Sequence, residues 1–275
     1  MKLFQAKIVL LTLSLGVVWF VASDAQAGPP ELPAPVSQPT PSESPFDVRI
    51  GFPVWIPFPE GDVGTHLPFV AGGTDRVAAH IHPFSNLGAF GYIIPLSIEL
   101  QKSRWLVQAS GYYLNLSASV DPRGPLYRSA SLDWNSGLVD LALGYRVIEQ
   151  AAFSLDLLAG GRYQHVSLDW SLQPRTNHLL PRSASDSKDW ADPFVRVVGK
   201  ARLARPVTLF VKGDVGGFGV SSNITWTVYG GFDFQIARHI YADIGCRYFG
   251  TDYSSGSFKY DVSLIGPQIE FGTNF

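Results

Sequence analysis

In "ITWTVYGGFDFQI", Ile224 to Ile236, successive residues alternate between a mainly apolar and a mainly polar face along the whole stretch. The first face carries Ile224, Trp226, Val228, Gly230, Phe232, Phe234 and Ile236, and the second carries Thr225, Thr227, Tyr229, Gly231, Asp233 and Gln235. A period of two residues is typical of a β-strand with one apolar and one polar face. A soluble sandwich buries the apolar face of such strands, whereas a membrane barrel turns it to lipid and encloses a polar lumen.

The same alternation recurs from Phe46 onward, which predicts an all-β protein. Ten strands are predicted: 46–56, 91–101, 104–118, 136–148, 151–172, 191–203, 206–220, 223–236, 239–253 and 257–275. Their connections alternate between tiny turns, such as Lys102-Ser103, and long polar segments. This alternation favours an antiparallel up-and-down transmembrane β-barrel over a sandwich. The long connection 57–90 could hold a further hairpin, which would make twelve strands, or a short helix at "PFSNLGAF".

The N-terminal residues predict export of the chain. Two lysines precede an apolar run and the small-residue sequence Ala25-Gln26-Ala27, which is typical of a cleavable signal peptide over residues 1–27. Residues 28–45, "GPPELPAPVSQPTPSESP", predict an extended periplasmic leader before the barrel domain, 46–275. The formal net charge is −2, so nucleic acid is not an expected partner.

Charged residues make up only 16% of the chain, so their positions on the strands are informative. The alternation turns seven acidic and seven basic residues toward the lumen. They are Glu99, Asp140, Asp156, Asp214, Asp233, Asp243 and Glu270, and Arg146, Arg162, Arg196, Lys200, Arg202, Lys212 and Arg247. The opposite faces are nearly free of charge, as contact with lipid requires.

These lumen-lining charges could either cross-link a filled interior or flank a narrow porin-like passage for small polar solutes. Side chains just fill a barrel of eight strands, and ten strands add modest width. A filled or nearly closed lumen is therefore the favoured interpretation. Arg196, Lys200 and Arg202 are expected to pair with Asp214 and Asp233 inside it.

Tryptophan and tyrosine are frequent near the predicted strand ends, where membrane barrels carry interfacial aromatic girdles. The residues concerned are Trp105, Tyr112, Tyr113, Tyr163, Trp170, Trp190, Trp226 and Tyr248. Most of them are predicted to belong to such girdles rather than to a sugar-binding platform.

The C-terminal part of the chain resembles known barrels. Its last strand ends on Phe275, which resembles the signal by which bacterial outer-membrane proteins reach their barrel-insertion machinery. Residues 190–275 resemble a broad, poorly characterised family of Gram-negative outer-membrane barrels; the matching stretches are "WADPFVRVVGKARL", "GDVGGFGVSSNITW", "GCRYFGTDY" and "YDVSLIGPQIEFGTNF". The resemblance implies an outer-membrane location, with lipid and lipopolysaccharide as surroundings. It implies no settled activity.

Two groups of residues raise the question of chemistry. His165 and Ser167 resemble the His-x-Ser of lipid A deacylase barrels, in which a base would activate a hydroxyl nucleophile. Asp169 would lie about 13 Å from His165 along the strand, too far to orient the histidine. His80 and His82 share a face without a third ligand of suitable spacing. The sequence therefore predicts no catalytic residue, no metal site and no cofactor.

The favoured function is that of a non-enzymatic outer-membrane barrel, either structural or a narrow passage. The first alternative is a lipid-modifying hydrolase centred on His165 and Ser167. A second alternative is a surface-binding or adhesion protein that works through the loops 57–90, 119–135 and 173–190.

Overall fold

A computed structural model describes residues 46–66, 76–81, 90–120, 127–175, 182–256 and 258–275. The predicted signal peptide, the leader and His82 lie outside these residues. Twelve strands are present: β1 (Asp47–Trp55), β2 (Phe58–His66), β3 (Arg76–Ile81), β4 (Phe90–Lys102), β5 (Trp105–Val120), β6 (Tyr127–Glu149), β7 (Phe153–Pro174), β8 (Arg182–Ala204), β9 (Val207–Gly216), β10 (Ile224–Ala237), β11 (Ile240–Ser255) and β12 (Phe258–Asn274). No helix long and apolar enough to cross a membrane occurs among the described residues.

The sheet closes into a ring through its first and last strands. Strand β1 pairs with β4 on one side and with β12 on the other, so β1 and β4 to β12 form a closed ring of ten antiparallel strands. The up-and-down barrel predicted from the sequence is therefore confirmed. The pairing of β1 with both neighbours leaves the ring without a free edge, which is how membrane barrels satisfy their backbone polar groups.

Strands β2 and β3 are the further hairpin considered for the segment 57–90. Strand β2 pairs with Lys259–Ile265 of β12, directly beyond the part of β12 that pairs with β1. Strands β1 and β2 therefore form one wall strand that is interrupted at Ile56-Pro57. Strand β3 pairs with β2 and so extends the sheet to twelve strands.

Three strand boundaries differ from the prediction by four residues or more. Strand β6 begins at Tyr127 rather than 136, and β8 begins at Arg182 rather than 191. These extensions are rich in serine and aspartate and were predicted as loops, but their backbone pairing continues to Ala130 and Arg182. Strand β9 ends at Gly216 rather than 220, because Gly217, Phe218 and Gly219 all adopt positive φ and begin a turn.

The polarity of the two barrel faces reverses along β7. In its first half Leu157 and Tyr163 face outward and are 45% and 46% exposed, whereas Asp156 and Arg162 are fully buried inside. Beyond Gln164 the inward residues are apolar. They are Val166, Leu168, Trp170 and Leu172, and the outward residues His165, Ser167, Asp169 and Ser171 are polar.

We call the outward-facing apolar zone below this reversal the apolar band. On β7 it extends from Phe153 to Tyr163, ten residue steps. These steps correspond to about 33 Å along the strand at ordinary rise. At a strand tilt of about 40° they give a height of about 25 Å, the height of the lipid-facing band of membrane barrels. Exposed apolar side chains such as Leu141, Val195, Ile244 and Phe271 continue the band around the ring.

Candidate functional site: the barrel interior

The interior beyond the apolar band is filled by a core of apolar and aromatic side chains, which we call the aromatic plug. Its members are Trp55, Val63, Leu114, Leu116, Leu132, Trp134, Leu138, Val166, Leu168, Trp170, Trp190, Phe249, Tyr253, Phe258, Tyr260, Val262 and Leu264. Trp190 stacks on Tyr253 with ring centroids 4.1 Å apart, and Trp134 meets Tyr260 edge-on at 5.7 Å. This half of the barrel is therefore a packed core.

The plug corrects part of the predicted aromatic girdle. Trp170 and Trp190 are 2% and 5% exposed inside the barrel, and Tyr112 packs against the same core. The girdle interpretation was wrong for these residues, because it assumed one polarity for each face along the whole strand. Trp105 and Tyr163 are 57% and 46% exposed on the outside, as a girdle requires.

Directly below the plug, two arginines and two aspartates form a closed set of ion pairs, which we call the charge belt. Arg162 donates from Nε and Nη2 to the two carboxylate oxygens of Asp140 at 2.8 and 2.9 Å, and from Nη2 to Asp214 at 3.0 Å. Arg196 donates from Nη2 to Asp140 at 2.6 Å and to Asp214 at 2.9 Å. All four residues are at most 8% exposed.

Strand register assembles the charge belt. Asp140 lies opposite Arg162 on β6 and β7, and Arg196 lies opposite Asp214 on β8 and β9. Four consecutive strands therefore each contribute one charge at one level of the interior. Thr225 and Thr227 of β10 accept further hydrogen bonds from Arg162 at 3.0 and 3.2 Å. This dense pairing offsets the desolvation of four buried charges.

A second group of charges lies closer to the end of the barrel at which β4–β5, β6–β7, β8–β9 and β10–β11 connect within two or three residues, which we call the tight-turn end. Arg49 of β1 donates to Asp233 at 2.5 Å and to Asp243 at 2.9 Å, and its guanidinium lies 3.4 Å from the ring centre of Tyr241. Glu270 accepts from Tyr241 at 2.8 Å and from Ser97 at 2.7 Å. Each carboxylate of this group therefore has a donor.

Gly51 makes room for this group. A side chain at this inward position would lie about 2 Å from Oε1 of Glu270 and from the hydroxyl of Tyr241. The missing Cβ therefore allows the carboxylate and the phenol to meet against the β1 backbone.

Arg49 was not among the predicted lumen-lining residues, although it faces inward on the first strand. The pairing expected for Asp233 was wrong, because Arg49 rather than Lys200 or Arg202 is its partner. Lys200 instead lies 3.2 Å from Glu99 of β4, across the interior. Alternation along a strand shows which side chains point inward, but it does not show which strands face each other across the lumen.

The tight-turn end opens into a polar cavity of about 330 Å³, which we call the vestibule. Its wall includes Arg49, Arg146, Lys200, Arg202 and Arg205. Arg146 is held by Asp156 at 2.7 Å. A smaller recess of about 80 Å³ continues inward to Lys212, Glu270 and Arg196 of the charge belt. The charge belt and the plug lie beyond this recess.

Arg247 differs from the other interior arginines. It is 9% exposed and forms no ion pair with a described residue; its guanidinium lies 5.1 Å from the ring of Trp55 and 4.9 Å from that of Tyr112. Four buried polar atoms without a hydrogen-bond partner among the described residues surround a cavity of about 10 Å³: Nε of Arg247, Nε1 of Trp55, the hydroxyl of Tyr112 and Oε1 of Gln268. A space of this size admits about one water molecule.

The residues considered for hydrolysis lie on the outside of the barrel, beyond the apolar band. Nδ1 of His165 lies 2.8 Å from Asp189 of β8, whose carboxylate also accepts from the hydroxyl of Tyr163 at 2.5 Å. Hydrogen bonds from Tyr163, which contributes most, and from His165 lower the pKa of the Asp189 carboxyl below its usual range. Among the described residues no hydrogen bond joins His165 to Ser167. The structure therefore pairs His165 with Asp189 rather than with Ser167.

Asp189 was missed because it lies 24 residues from His165 in sequence. It is the direct cross-strand partner of His165. A prediction of the β7–β8 register would have found it, but β8 was predicted to begin only at 191. The side chain of His80 lies outside the described residues.

The terminal residue Phe275 continues the last strand. Its N–H donates to the carbonyl of Val48 at 2.9 Å, and the N–H of Val48 donates back at 3.1 Å. Its ring is 67% exposed on the outside of the barrel. The aromatic side chain is thus presented at the seam between the first and last strands.

Among the described residues these features define a transmembrane β-barrel of ten wall strands, with a filled interior and a vestibule at the tight-turn end. No family model matches the chain, and no curated protein matches it. The chain is similar in structure to the outer membrane protease OmpT from Escherichia coli, with a TM-score of 0.50 and 12% identity over 86% of this chain and 99% of that one. This likeness shows the fold alone.

Two further solved barrels show weaker similarity. The translocator domain of the autotransporter NalP from Neisseria meningitidis has a TM-score of 0.38 at 13% identity, over 84% of this chain and 88% of its own. The attachment invasion locus protein Ail of Yersinia pestis has a TM-score of 0.33 at 11% identity, over 85% of this chain and 100% of its own.

Proposed function

We propose that the chain is a non-enzymatic outer-membrane β-barrel that is closed to solute flow and has a structural role in the envelope. The apolar band supports its insertion in a bilayer, with lipid around the band and lipopolysaccharide around the polar section above it. The tight-turn end would then face the periplasm, because outer-membrane barrels have short periplasmic turns and longer outer loops.

The aromatic plug and the charge belt are the observations that support a barrel closed to solute flow. A passage for small polar solutes needs a continuous polar path, whereas here 17 apolar and aromatic residues fill one half of the interior. Directly below them Arg162 of β7 donates to Asp214 of β9 inside the lumen. The structure thus favours the filled lumen over the narrow passage that was considered from the sequence.

Conductance in planar bilayers tests this proposal. We expect the wild-type barrel to insert without producing steady conductance. The triple variant Arg162→Ala, Trp170→Ala, Trp190→Ala removes one belt residue and two plug residues, and it should conduct. Steady conductance of the wild-type protein would contradict a closed barrel. Correct insertion of both proteins is checked by heat-modifiable migration on a denaturing gel.

Phe275 supports delivery to the barrel-insertion machinery, because its ring is exposed at the closing seam. Truncation of this ring in Phe275→Ala should lower the amount of folded protein in the outer-membrane fraction. The control Phe271→Ala removes an equally outward ring from the same strand. A similar loss for both variants would show that lipid contact, rather than a terminal signal, accounts for the effect.

A lipid-modifying hydrolase is the second candidate, and the contact between His165 and Asp189 is the observation that favours it. An oriented histidine is what a serine nucleophile requires. Overexpression of the wild-type protein would then alter the mass of lipid A, and Ser167→Ala would abolish the change. Unaltered lipid A would exclude this candidate.

A surface-binding role remains a prediction. Strands β2, β3, β6 and β8 occupy parts of the segments expected to be binding loops. The polar outward face of these extensions, with Ser117 donating to Asp133 at 2.6 Å, would form the exposed wall of such a surface.

A further inference from the structure

We propose that the vestibule is a binding site for a small multivalent anion that carries two or more carboxylate or phosphate groups. Several basic side chains of the vestibule and its recess have no ion-pair partner among the described residues. Of the carboxylates there, Glu99, Asp233, Asp243 and Glu270 already accept from donors, and Asp47 is the one without a partner among the described residues. This proposal rests on the proposed function in one respect only, namely that the vestibule faces the periplasm.

The pairing of charges in the vestibule and its recess is asymmetric. Asp233 and Asp243 are held by Arg49, and Glu99 accepts from Lys200 and Gln108. Glu270 accepts hydrogen bonds from Ser97 and Tyr241. These acidic groups therefore have little capacity left for a cationic ligand.

Arg202, Arg205 and Lys212 are the complementary group. None of them forms an ion pair with another residue of the described ranges, although each lines the vestibule or its recess. Glu99 and Glu270 share the recess with Lys212, but both are occupied by the donors named above. Positive charge without a direct counter-charge is thus concentrated on one wall of the cavity, which attracts anions.

The three residues follow one hairpin from the interior to the mouth. Lys212 of β9 lies opposite Val198, and Arg202 lies four residues further along β8, opposite Thr208. This separation corresponds to about 13 Å at ordinary strand rise. Arg205 lies in the turn that follows. One monovalent ion can contact only one member of this row, whereas a ligand with two separated acidic groups can contact two of them at once.

The shape of the cavity restricts the ligand further. A volume of about 330 Å³ at the mouth, with about 80 Å³ beyond it, fits a small organic molecule. The charge belt closes the inner end. The ligand must therefore enter and leave through the tight-turn end, and binding does not require passage through the barrel.

Isothermal titration calorimetry of the full-length folded protein in detergent tests the site, with pyrophosphate and citrate as probes. We expect at least one probe to bind, and the double variant Arg202→Gln, Arg205→Gln to weaken that binding at least tenfold. The variant Arg202→Lys, Arg205→Lys keeps both charges and should retain most of the affinity. Preference for pyrophosphate or for citrate would show which acidic group the site takes.

The matched control is Arg104→Gln, Arg238→Gln, which removes two arginines from other turns at the same end, outside the cavity wall. Its affinity should equal that of the wild type. The proposal is overturned if neither probe binds, if the vestibule variant binds like the wild type, or if the control loses as much affinity. Binding in detergent and conductance in bilayers are independent measurements, so the two proposals can fail separately.

Discussion

Nη2 of Arg162 on β7 lies 3.0 Å from Oδ1 of Asp214 on β9, although β8 separates the two strands in the barrel wall. A contact of this kind passes through the interior rather than along the sheet. Side chains at this level also reach strands further around the ring, because the guanidinium of Arg162 lies 5.3 Å from the ring centre of Phe249 on β11, and together they fill the lumen. Both residues are almost completely buried, so their attraction is weakly screened by salt.

Substitution Arg162→Met should strongly destabilise the barrel. It leaves the buried carboxylates of Asp140 and Asp214 with one arginine instead of two, and breaking a buried charge set of this kind costs about 3–5 kcal/mol. Urea unfolding in lipid vesicles, followed by tryptophan fluorescence, measures the loss. The control Arg104→Met removes an exposed arginine 3.8 Å from Glu149, and such pairs contribute about 0–1 kcal/mol. Equal unfolding midpoints for the two variants would contradict a stabilising charge belt.

Substitution Arg247→Met should be much better tolerated. This arginine has no carboxylate partner among the described residues, so its removal orphans no buried acid. The loss is that of contacts with Trp55 and Tyr112, about 0.5–2 kcal/mol for a cation over an aromatic face. We expect the same unfolding measurement to give a cost clearly below that of Arg162→Met. A cost as large as that of the belt variant would show that Arg247 has an ion-pair role.

Substitution Trp190→Ala should open the aromatic plug. The indole is 5% exposed and stacks on Tyr253, and removal of a buried tryptophan typically costs about 3–5 kcal/mol. Trp105→Ala is the control, because that indole is 57% exposed on the outer wall. The temperature at which each variant loses its heat-modifiable band on a denaturing gel compares the stabilities of the two variants. The plug would not be a stabilising core if Trp105→Ala lowered the transition temperature more.

Substitution Asp261→Asn should stabilise the barrel at neutral pH but not in acid. Partial burial, together with the neighbouring charge of Asp252, raises the pKa of Asp261, so ionisation of this carboxyl opposes folding. A carboxyl whose pKa is raised by folding stabilises the folded state below its pKa in the unfolded chain, about 3.9. This stabilisation is lost as the pH rises through the pKa of the folded state. The side chain is 54% exposed, so the gain at pH 7 should not exceed about 1 kcal/mol.

Unfolding midpoints at pH 7 and at pH 3.5 measure this difference. Ser263→Ala, at an outward position of the same strand, removes a polar group without changing charge and should show no pH dependence relative to the wild type. A stabilisation by Asp261→Asn that is equal at both pH values would exclude repulsion between the carboxylates as its cause.

The strand pattern of this protein was predictable because alternation with a period of two follows from backbone geometry. Residues such as Val228 and Thr227 on β10 show their faces without knowledge of any other strand. The short turns, including Lys102-Ser103, were also predictable, because each of them separates two segments with alternating apolar and polar residues. The same reasoning turned Asp140, Arg162 and Asp214 inward, where the structure buries them.

The extensions of β6 and β8 were not predictable in the same way. Their outward residues, Asp133 and Ser187 among them, are of loop-forming type, and loops and solvated strands share this composition. The reversal of face polarity that buries Trp134 and Trp190 follows from a change in what surrounds the outer face, from lipid to water. Alternation along the sequence does not show where this change occurs.

The sequence by itself determined the class of fold, the closure into a barrel and the set of inward charges, because each depends on the local period of the backbone. Only the tertiary structure decided which charges meet. Arg49 reaches Asp233, and Arg162 reaches Asp214, because the curvature and register of the closed ring bring together side chains of strands that are not paired with each other. Such contacts depend on the shape of the whole sheet, and that shape also leaves Arg202 and Arg205 beside an open vestibule.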